Sequence, residues 1–201
     1  MKKHLFLTGA SGIGKSTLLR QELGSALSLA GGFITERVKA EDGKLLGYDL
    51  LPAAAAVQRD GFERQRFLDY SVSPPVHDNE VFRNTGVKLL EESVYYPFVF
   101  LDEFGGFELL IPQFRHALED VLNSERPVIG VLKETAGANS LRRRLGLGER
   151  FSMTVDNLHA ALDADEDTVV LTMRERGDEL VRRIVRQWVR KYAAFDGGTA
   201  V

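Results

Sequence analysis

The sequence predicts an α/β fold in which a mainly parallel β-sheet is covered by helices on both faces. Short apolar runs alternate along the chain with segments of helical periodicity, as in parallel sheets. A glycine-rich loop lies between an apolar run at 4–7 and a helix-like stretch that starts at Gly14. A glycine pair also precedes two runs rich in β-formers, joined by a turn at Asp42 and Gly43. This last pattern predicts an antiparallel β-hairpin added to the sheet.

The predicted elements follow the changes in hydrophobic period along the chain. The predicted strands are short apolar runs and cover residues 4–7, 31–38, 41–51, 96–103, 126–134, 151–156 and 167–173. The predicted helices have apolar residues at three- and four-residue spacing and cover 14–23, 78–94, 107–124 and 175–195. Pro112 marks either an early kink or the true start of its helix. No repeat or linker interrupts the chain, so we interpret residues 1–201 as one domain.

The composition argues against several classes of protein and several kinds of functional site. The chain has no cysteine, which removes disulfides, thiolate nucleophiles and cysteine-ligated metals. The N-terminal apolar run ends at Leu7, too early for a secretory signal, and no apolar run approaches a membrane span. We therefore expect a cytoplasmic protein without a membrane partner. The formal net charge of -3 does not favour nucleic acid, whose binding would need a focused basic patch.

The segment "GASGIGKS", Gly9 to Ser16, fits the pattern GxxxxGK[ST] with a strand before it and a helix after it. Its glycines let the backbone turn tightly, so that N–H groups at a helix N-terminus point at phosphate oxygens. Lys15 is expected to reach the outer phosphates, Ser16 to bind Mg²⁺ and Thr17 to contact the inner phosphate. The alternatives are a chance glycine-rich turn and a dinucleotide-binding loop, but the latter's third glycine is missing. The predicted phosphate-binding residues are Gly9, Ala10, Ser11, Gly12, Ile13, Gly14, Lys15, Ser16 and Thr17.

Two adjacent acids end the apolar run "FVFLDE". Ligands of parallel sheets bind beyond the carboxyl ends of the strands, so Asp102 is predicted to hold Mg²⁺ with Ser16. Glu103 is predicted to orient or deprotonate an attacking water, with loop capping or an arginine pair as the alternative. Glu108 follows in "FGGFE" and is expected either to cap the next helix or to act as a supporting acid.

Three blocks resemble the family of thermophilic or cancer-related nucleoside-triphosphatases. They are "GASGIGKSTL", "GGFITERVKAEDGKLLGYDL" and the stretch that begins "FLDEFGGFE", and the resemblance runs from about residue 3 to 133. It implies Mg²⁺-dependent hydrolysis of ATP, GTP and other nucleoside triphosphates, which are then the expected partners. It also implies a three-layer P-loop NTPase fold of the RecA-like type. Residues 58–80 match the family poorly, and "RERGDEL" replaces its late N-R-D motif.

Departure of a γ-phosphoryl group needs positive charge, which several basic residues could supply. Arg37 is the foremost predicted catalytic arginine, since it lies in the hairpin block that carries the resemblance. Further candidates are the triplet Arg142, Arg143 and Arg144 and, beyond a strand end, Lys133. The triplet could instead be a solvated helix face. Two other functions use the same loop: a small-molecule or nucleotide kinase, with residues 58–80 as acceptor pocket, and a nucleotide-controlled interaction protein.

Overall fold

The computed structural model describes residues 1–58 and 60–194 and centres on one mixed β-sheet. Its strands are β1 (His4–Thr8), β2 (Ala30–Lys39), β3 (Leu45–Pro52), β4 (Gln65–Asp69), β5 (Val76–His77), β6 (Phe98–Phe104), β7 (Val128–Leu132) and β8 (Thr168–Thr172). The spatial order of these eight strands is β5-β4-β3-β2-β6-β7-β1-β8. Strands β2, β6, β7, β1 and β8 pair in parallel, whereas β3, β4 and β5 extend the sheet in antiparallel pairing beyond β2.

Seven α-helical segments accompany the sheet within residues 1–58 and 60–194. They are α1 (Lys15–Leu23), α2 (Asn79–Val81), α3 (Val87–Glu91), α4 (Pro112–Asn123), α5 (Thr135–Leu145), α6 (Glu149–Ala164) and α7 (Glu179–Tyr192). A π-helical turn, Phe82–Gly86, joins α2 to α3, and short 3₁₀ segments cover Gly24–Leu29, Ala53–Ala56, Glu92–Tyr95 and Phe107–Leu110. Pro112 occupies the first turn of α4, so it is the start of that helix rather than a kink. Within the described part of the chain, no helix is both long and apolar enough to cross a membrane.

Side chains alternate between two hydrophobic clusters, one on each face of the sheet. In β1, Leu5 and Leu7 join one cluster and Phe6 joins the other, as the two-residue period of a strand requires. The cluster around Leu5 is completed by α1, α7 and two 3₁₀ segments, and the cluster around Phe6 by α3 to α6. The predicted three-layer, mainly parallel α/β fold is therefore confirmed, as is the antiparallel hairpin, formed by β2 and β3.

One predicted strand was wrong. Residues 151–156, expected to be extended, lie inside α6. The segment contains β-branched and aromatic residues, but a window of six residues hides its period. Phe151, Val155, Leu158 and Leu162 recur at spacings of four, three and four, and all pack into one cluster. The longer helical period therefore outweighs the local β-propensity of the six residues.

Helix α7 packs its apolar face against the sheet, as its periodicity predicts. Val181, Val185 and Trp188 are buried, whereas Leu180, also expected on that face, is 58% exposed. The indole Nε1 of Trp188 donates to the carbonyl of Lys3 at 3.0 Å. This bond fastens the last described helix to the residue before β1, the strand that leads into the glycine-rich loop.

Candidate functional site

The glycine-rich loop leaves the carboxyl end of β1 and enters α1. Gly9, Gly12 and Gly14 have φ values of 125°, 81° and 106°, a region that disfavours residues with a Cβ. At Gly9 a Cβ would also lie 2.4 Å from the carbonyl oxygen of Met173. No side chain caps the N-terminus of α1, so its first N–H groups are available to an anion.

Lys15 is folded back onto the loop. Its Nζ donates to the carbonyl oxygens of Gly9 at 2.6 Å and Ala10 at 2.9 Å, and the residue is only 6% exposed. Burial lowers the pKa of the Lys15 ammonium from its ordinary value, while the carboxylate of Glu103 opposes that shift. The ammonium group thus lies at the loop beside the acidic pair, where the charge of a phosphate would favour its protonated form.

Asp102, near the end of β6, connects the acidic pair to α1. The Ser16 hydroxyl donates to Oδ1 of Asp102 at 2.6 Å, and a guanidinium Nη2 of Arg20 donates to Oδ2 at 2.6 Å. Asp102 is 1% exposed. Burial raises the pKa of its carboxyl, whereas the Arg20 charge and the Ser16 hydrogen bond act to lower it.

The pair Ser16 and Asp102 fits a small hard cation. Both contribute oxygen, and Arg20 occupies Oδ2, which leaves Oδ1 as the carboxylate oxygen beside the hydroxyl. Among the described residues, no group of three or more His, Cys, Asp or Glu could hold a metal. An ion bound by so few protein ligands must complete its coordination with oxygens of phosphate and water, as Mg²⁺ usually does.

Sequence reasoning missed Arg20, although a signal for it exists. Arg20 stands four residues after Ser16 on α1, so the two side chains share one face of the helix. A basic residue at that spacing points toward whatever the serine contacts, which here is Asp102.

Glu103 has a backbone φ of 62°, the only positive φ of a non-glycine residue among those described. Its Oε2 lies 3.5 Å from Nζ of Lys133, just beyond β7, and both residues are partly buried. Burial alone would lower the pKa of Lys133, but the carboxylates of Glu103 and Glu108 outweigh it, so that pKa is raised. Glu103 is therefore paired with a lysine rather than an arginine.

Glu108 supports the loop that follows Glu103. It is 4% exposed, and its Oε1 accepts hydrogen bonds from the N–H groups of Gly105 at 2.7 Å and Gly106 at 2.6 Å. Burial raises the pKa of the Glu108 carboxyl, and these backbone bonds oppose the rise. Both predicted roles agree with this geometry, since the carboxyl accepts N–H groups at the start of the 3₁₀ segment Phe107–Leu110 and its charge acts on Lys133, the partner of Glu103.

The basic candidates divide by position. Arg37 is exposed on β2, and its Nη2 approaches Oγ of Ser11 at 3.5 Å, above the loop. Arg176, from the segment "RERGDEL", lines the same cleft of about 640 Å³ beside Gly14 and Thr17. Arg144 lines a neighbouring cavity instead, and Arg142 and Arg143 are not among the lining residues of either space.

Two of the basic residues of α7 form ion pairs with Glu22 of α1. Arg186 Nε lies 2.7 Å from a carboxylate oxygen of Glu22, and Arg182 lies 3.5 Å from the other oxygen. These two ion pairs reduce the positive charge that α7 could offer to nucleic acid.

Comparison with known proteins gives a consistent result. A family model described as NTPase matches residues 4–185. A nucleoside-triphosphatase THEP1 of Thermotoga sp. (strain RQ2) is 30% identical over 135 residues, covering 66% of this chain and 75% of the relative. A cancer-related nucleoside-triphosphatase homolog of Mus musculus is 28% identical over 184 residues, covering 81% and 94%. The solution structure of a human cancer-related nucleoside triphosphatase superposes with a TM-score of 0.59 at 20% identity, covering 94% of this chain and 96% of that one. This superposition supports the fold alone, while the family match spans every site residue described above.

Proposed function

The chain belongs to the NTPase family, and on that premise we propose that it is a Mg²⁺-dependent nucleoside-triphosphatase. It would hydrolyse ATP, GTP and other nucleoside triphosphates to the diphosphate and phosphate. The observation that carries the proposal is the contact of 2.6 Å between Ser16 and Asp102, in a cleft that Lys15 and Glu103 also line.

The loop binds the phosphates. Its N–H groups and the N-terminus of α1 hold the negative charge, and Lys15 exchanges its bonds to the carbonyls of Gly9 and Ala10 for bonds to the outer phosphates. Thr17 borders the cleft on the side of α1 and contacts the inner phosphate. The energy of this exchange is favourable because a lysine gains an anion where it previously had neutral acceptors.

Ser16 and Asp102 are the residues that would hold Mg²⁺. The ion, when bound, neutralises charge that develops on the phosphate oxygens. The Arg20 charge acts to lower the pKa of the Asp102 carboxyl against the effect of burial, and its hydrogen bond to Oδ2 leaves Oδ1 next to the serine hydroxyl. We assign to Arg20, which also lines the cleft, the role of positioning the carboxylate.

Glu103 orients the attacking water and takes its proton. Lys133 lies 3.5 Å from the Glu103 carboxylate and restricts the direction in which it points. Arg37, above Ser11, is placed to reach the γ-phosphoryl group and to balance its charge as the bond to the β-phosphate breaks.

The test is release of phosphate from ATP, GTP, CTP and UTP, with Mg²⁺ and with EDTA. Lys15→Ala should lower turnover by about 100- to 1,000-fold, as loss of a preorganised charge donor does. Glu103→Gln should lower it by about 100-fold or more, with nucleotide binding retained, since only the proton acceptor is removed.

Matched controls come from the exposed hairpin turn. Lys44→Ala and Glu41→Gln make the same chemical changes away from the cleft and should leave turnover unchanged. Undiminished turnover in Glu103→Gln would refute its role. Tight nucleotide binding with no phosphate release from any of the four substrates would refute independent hydrolysis and favour a partner-controlled protein.

A further inference from the structure

A second cavity, of about 200 Å³, adjoins the cleft that holds the phosphate loop. Four residues line both spaces: Lys15, Thr35, Tyr48 and Glu103. Lys15 and Glu103 are the groups to which the γ-phosphoryl group and its attacking water are assigned above. The cavity therefore meets the cleft at the end where the phosphoryl bond breaks, and hydrolysis alone gives it no role.

Aromatic side chains form one part of the cavity wall: Phe33, Tyr48, Phe67, Tyr70, Phe82 and Phe107. Phe67 lies between Tyr48, Phe82 and Phe107, with ring centroids 6.2, 4.9 and 6.1 Å from its own. Tilted and edge-to-face rings at these distances form a surface suited to a flat ring. Tyr48 lies on β3 and Phe67 on β4, both in the antiparallel extension of the sheet, and β4 falls within the stretch of sequence that resembles the family least.

One face of α5 closes the cavity. Gly137, Ser140, Leu141 and Arg144 line it at successive spacings of three, one and three residues. A Cβ at Gly137 would meet only Cγ of Lys133, at 3.7 Å, so space does not demand glycine there. Glycine inside a helix costs about 0.5–1 kcal/mol relative to alanine. Its effect here is to leave the cavity open.

Acidic and basic side chains line the cavity in equal number: Glu103, Glu108 and Glu134 against Lys15, Lys133 and Arg144. Arg144 is the residue that favours an anionic substituent on the ligand. Lys133 is paired with Glu103, and the Glu108 carboxylate accepts from two backbone N–H groups. Arg144, at the end of α5, lies 5.9 Å over the ring of Tyr70 and makes no ion pair with the described residues. A carboxylate at the rim would supply the bidentate partner that a guanidinium prefers.

We propose that this cavity binds a small hydroxylated aromatic carboxylate and that the bound hydroxyl group accepts the γ-phosphoryl group. The proposal rests on the proposed function for the position of the nucleotide. The hydroxyl oxygen forms a bond to the γ-phosphorus, the bond from that phosphorus to the β-phosphate oxygen breaks, and the nucleoside diphosphate leaves. The hydroxyl proton passes to the Glu103 carboxylate, so that the ring compound takes the place of water.

The first experiment measures binding without turnover. 4-Hydroxyphenylacetate and 4-(hydroxymethyl)benzoate are titrated calorimetrically into the protein with Mg²⁺ and ADP, beside uncharged 4-methylphenol. We expect the two carboxylates to bind at least 10-fold more tightly than 4-methylphenol, and Arg144→Gln to remove that difference. Absence of binding by both carboxylates would overturn the proposal.

Variants on α5 locate the site. Ser140→Leu places a larger side chain in the cavity and should weaken binding at least 10-fold, and Gly137→Leu serves if Ser140→Leu does not fold. Asn139→Leu, on the exposed side of the same helix, is the matched control and should bind as the wild type does. Equal binding in all of these variants would place the ligand elsewhere and overturn the assignment.

The second experiment follows γ-labelled ATP with each carboxylate present. Label should appear in the phosphorylated ring compound at the expense of inorganic phosphate, and Asn139→Leu should give the same partition. Binding without transfer of label would overturn the acceptor role. Phosphate release in the absence of any ring compound tests the proposed hydrolysis separately. Failure of the acceptor proposal can therefore be distinguished from failure of the proposed function.

Discussion

Replacement of Arg20 by methionine removes the cation that faces the buried carboxylate of Asp102. The two side chains meet at 2.6 Å, with Arg20 28% exposed and Asp102 1% exposed. Methionine keeps much of the length of the side chain and its contacts with α1, but it leaves Asp102 with the Ser16 hydroxyl as its remaining partner. We expect the variant to unfold more readily and to bind Mg²⁺ and nucleotide more weakly.

The magnitude follows from distance and burial. Two unit charges 2.6 Å apart attract by about 6 kcal/mol at an effective dielectric constant of 20, before desolvation is subtracted. Removal of one partner from a buried pair typically costs about 3–5 kcal/mol. Because solvent reaches part of Arg20, we place the expected loss in free energy of unfolding at the lower end, about 3 kcal/mol.

Urea denaturation measures this loss, with Arg115→Met as the matched control. Arg115 pairs with Glu119 at 3.7 Å on the surface of α4, and such exposed pairs contribute about 0.3–0.5 kcal/mol. In an Asp102→Asn background, Arg20→Met should lower the free energy of unfolding by less than about 1 kcal/mol, since the carboxylate that pairs with Arg20 has been removed. A loss below about 1 kcal/mol in the wild-type background, or an equal loss in both backgrounds, would refute the reasoning.

Three further changes test other parts of the structure. Gly9→Ala should abolish nucleotide binding by calorimetry, because its Cβ would lie 2.4 Å from the carbonyl oxygen of Met173; normal affinity would contradict this. Burial lowers the pKa of His4 below 6.5, so the unfolded chain binds more protons, and the free energy of unfolding should fall as pH drops through about 6.5. His4→Gln should reduce that slope in pH-dependent urea titrations, and an unchanged slope would assign it to other groups. Leu90→Ala, at a residue 0% exposed, should lower the free energy of unfolding by about 2–5 kcal/mol in urea titrations, whereas Leu29→Ala, at 45% exposure, should stay within about 0.5 kcal/mol; equal losses would refute the burial argument.

Local patterns made the phosphate loop, the hairpin and the layers predictable from sequence. The loop needs glycines at fixed positions, and Gly9, Gly12 and Gly14 all have the positive φ that only glycine adopts readily. The hairpin follows from a turn signal at Asp42 and Gly43 between β-rich runs. The predicted family is also confirmed, since the blocks that suggested it fall within the matched residues 4–185.

Features that combine segments distant in sequence could not be predicted from local patterns. Glu103 lies on β6 and Lys133 just beyond β7, 30 positions later, and only the order of the strands in the sheet brings the two residues together. The aromatic cavity combines β3 and β4 with α5 and a 3₁₀ segment, so no single run of sequence displays it. Helix α6 was missed for a different reason, since its period appears only over a window longer than six residues.

The position of β1 within the sheet has a consequence for folding during synthesis of the protein. β1 is the first strand of the chain, yet its two neighbours are β7 and β8, made from residues 128–132 and 168–172. Chains emerge from the ribosome N-terminus first, and pairing between distant segments is slow because the intervening loop must close. β1, the strand that leads into the phosphate loop, can therefore be paired along both edges only after the chain has been synthesised as far as Thr172. Nascent chains that stop at Ala164 would lack β8. ATP affinity measured along a series of lengthening chains would therefore show the chain length at which pairing of β1 is complete.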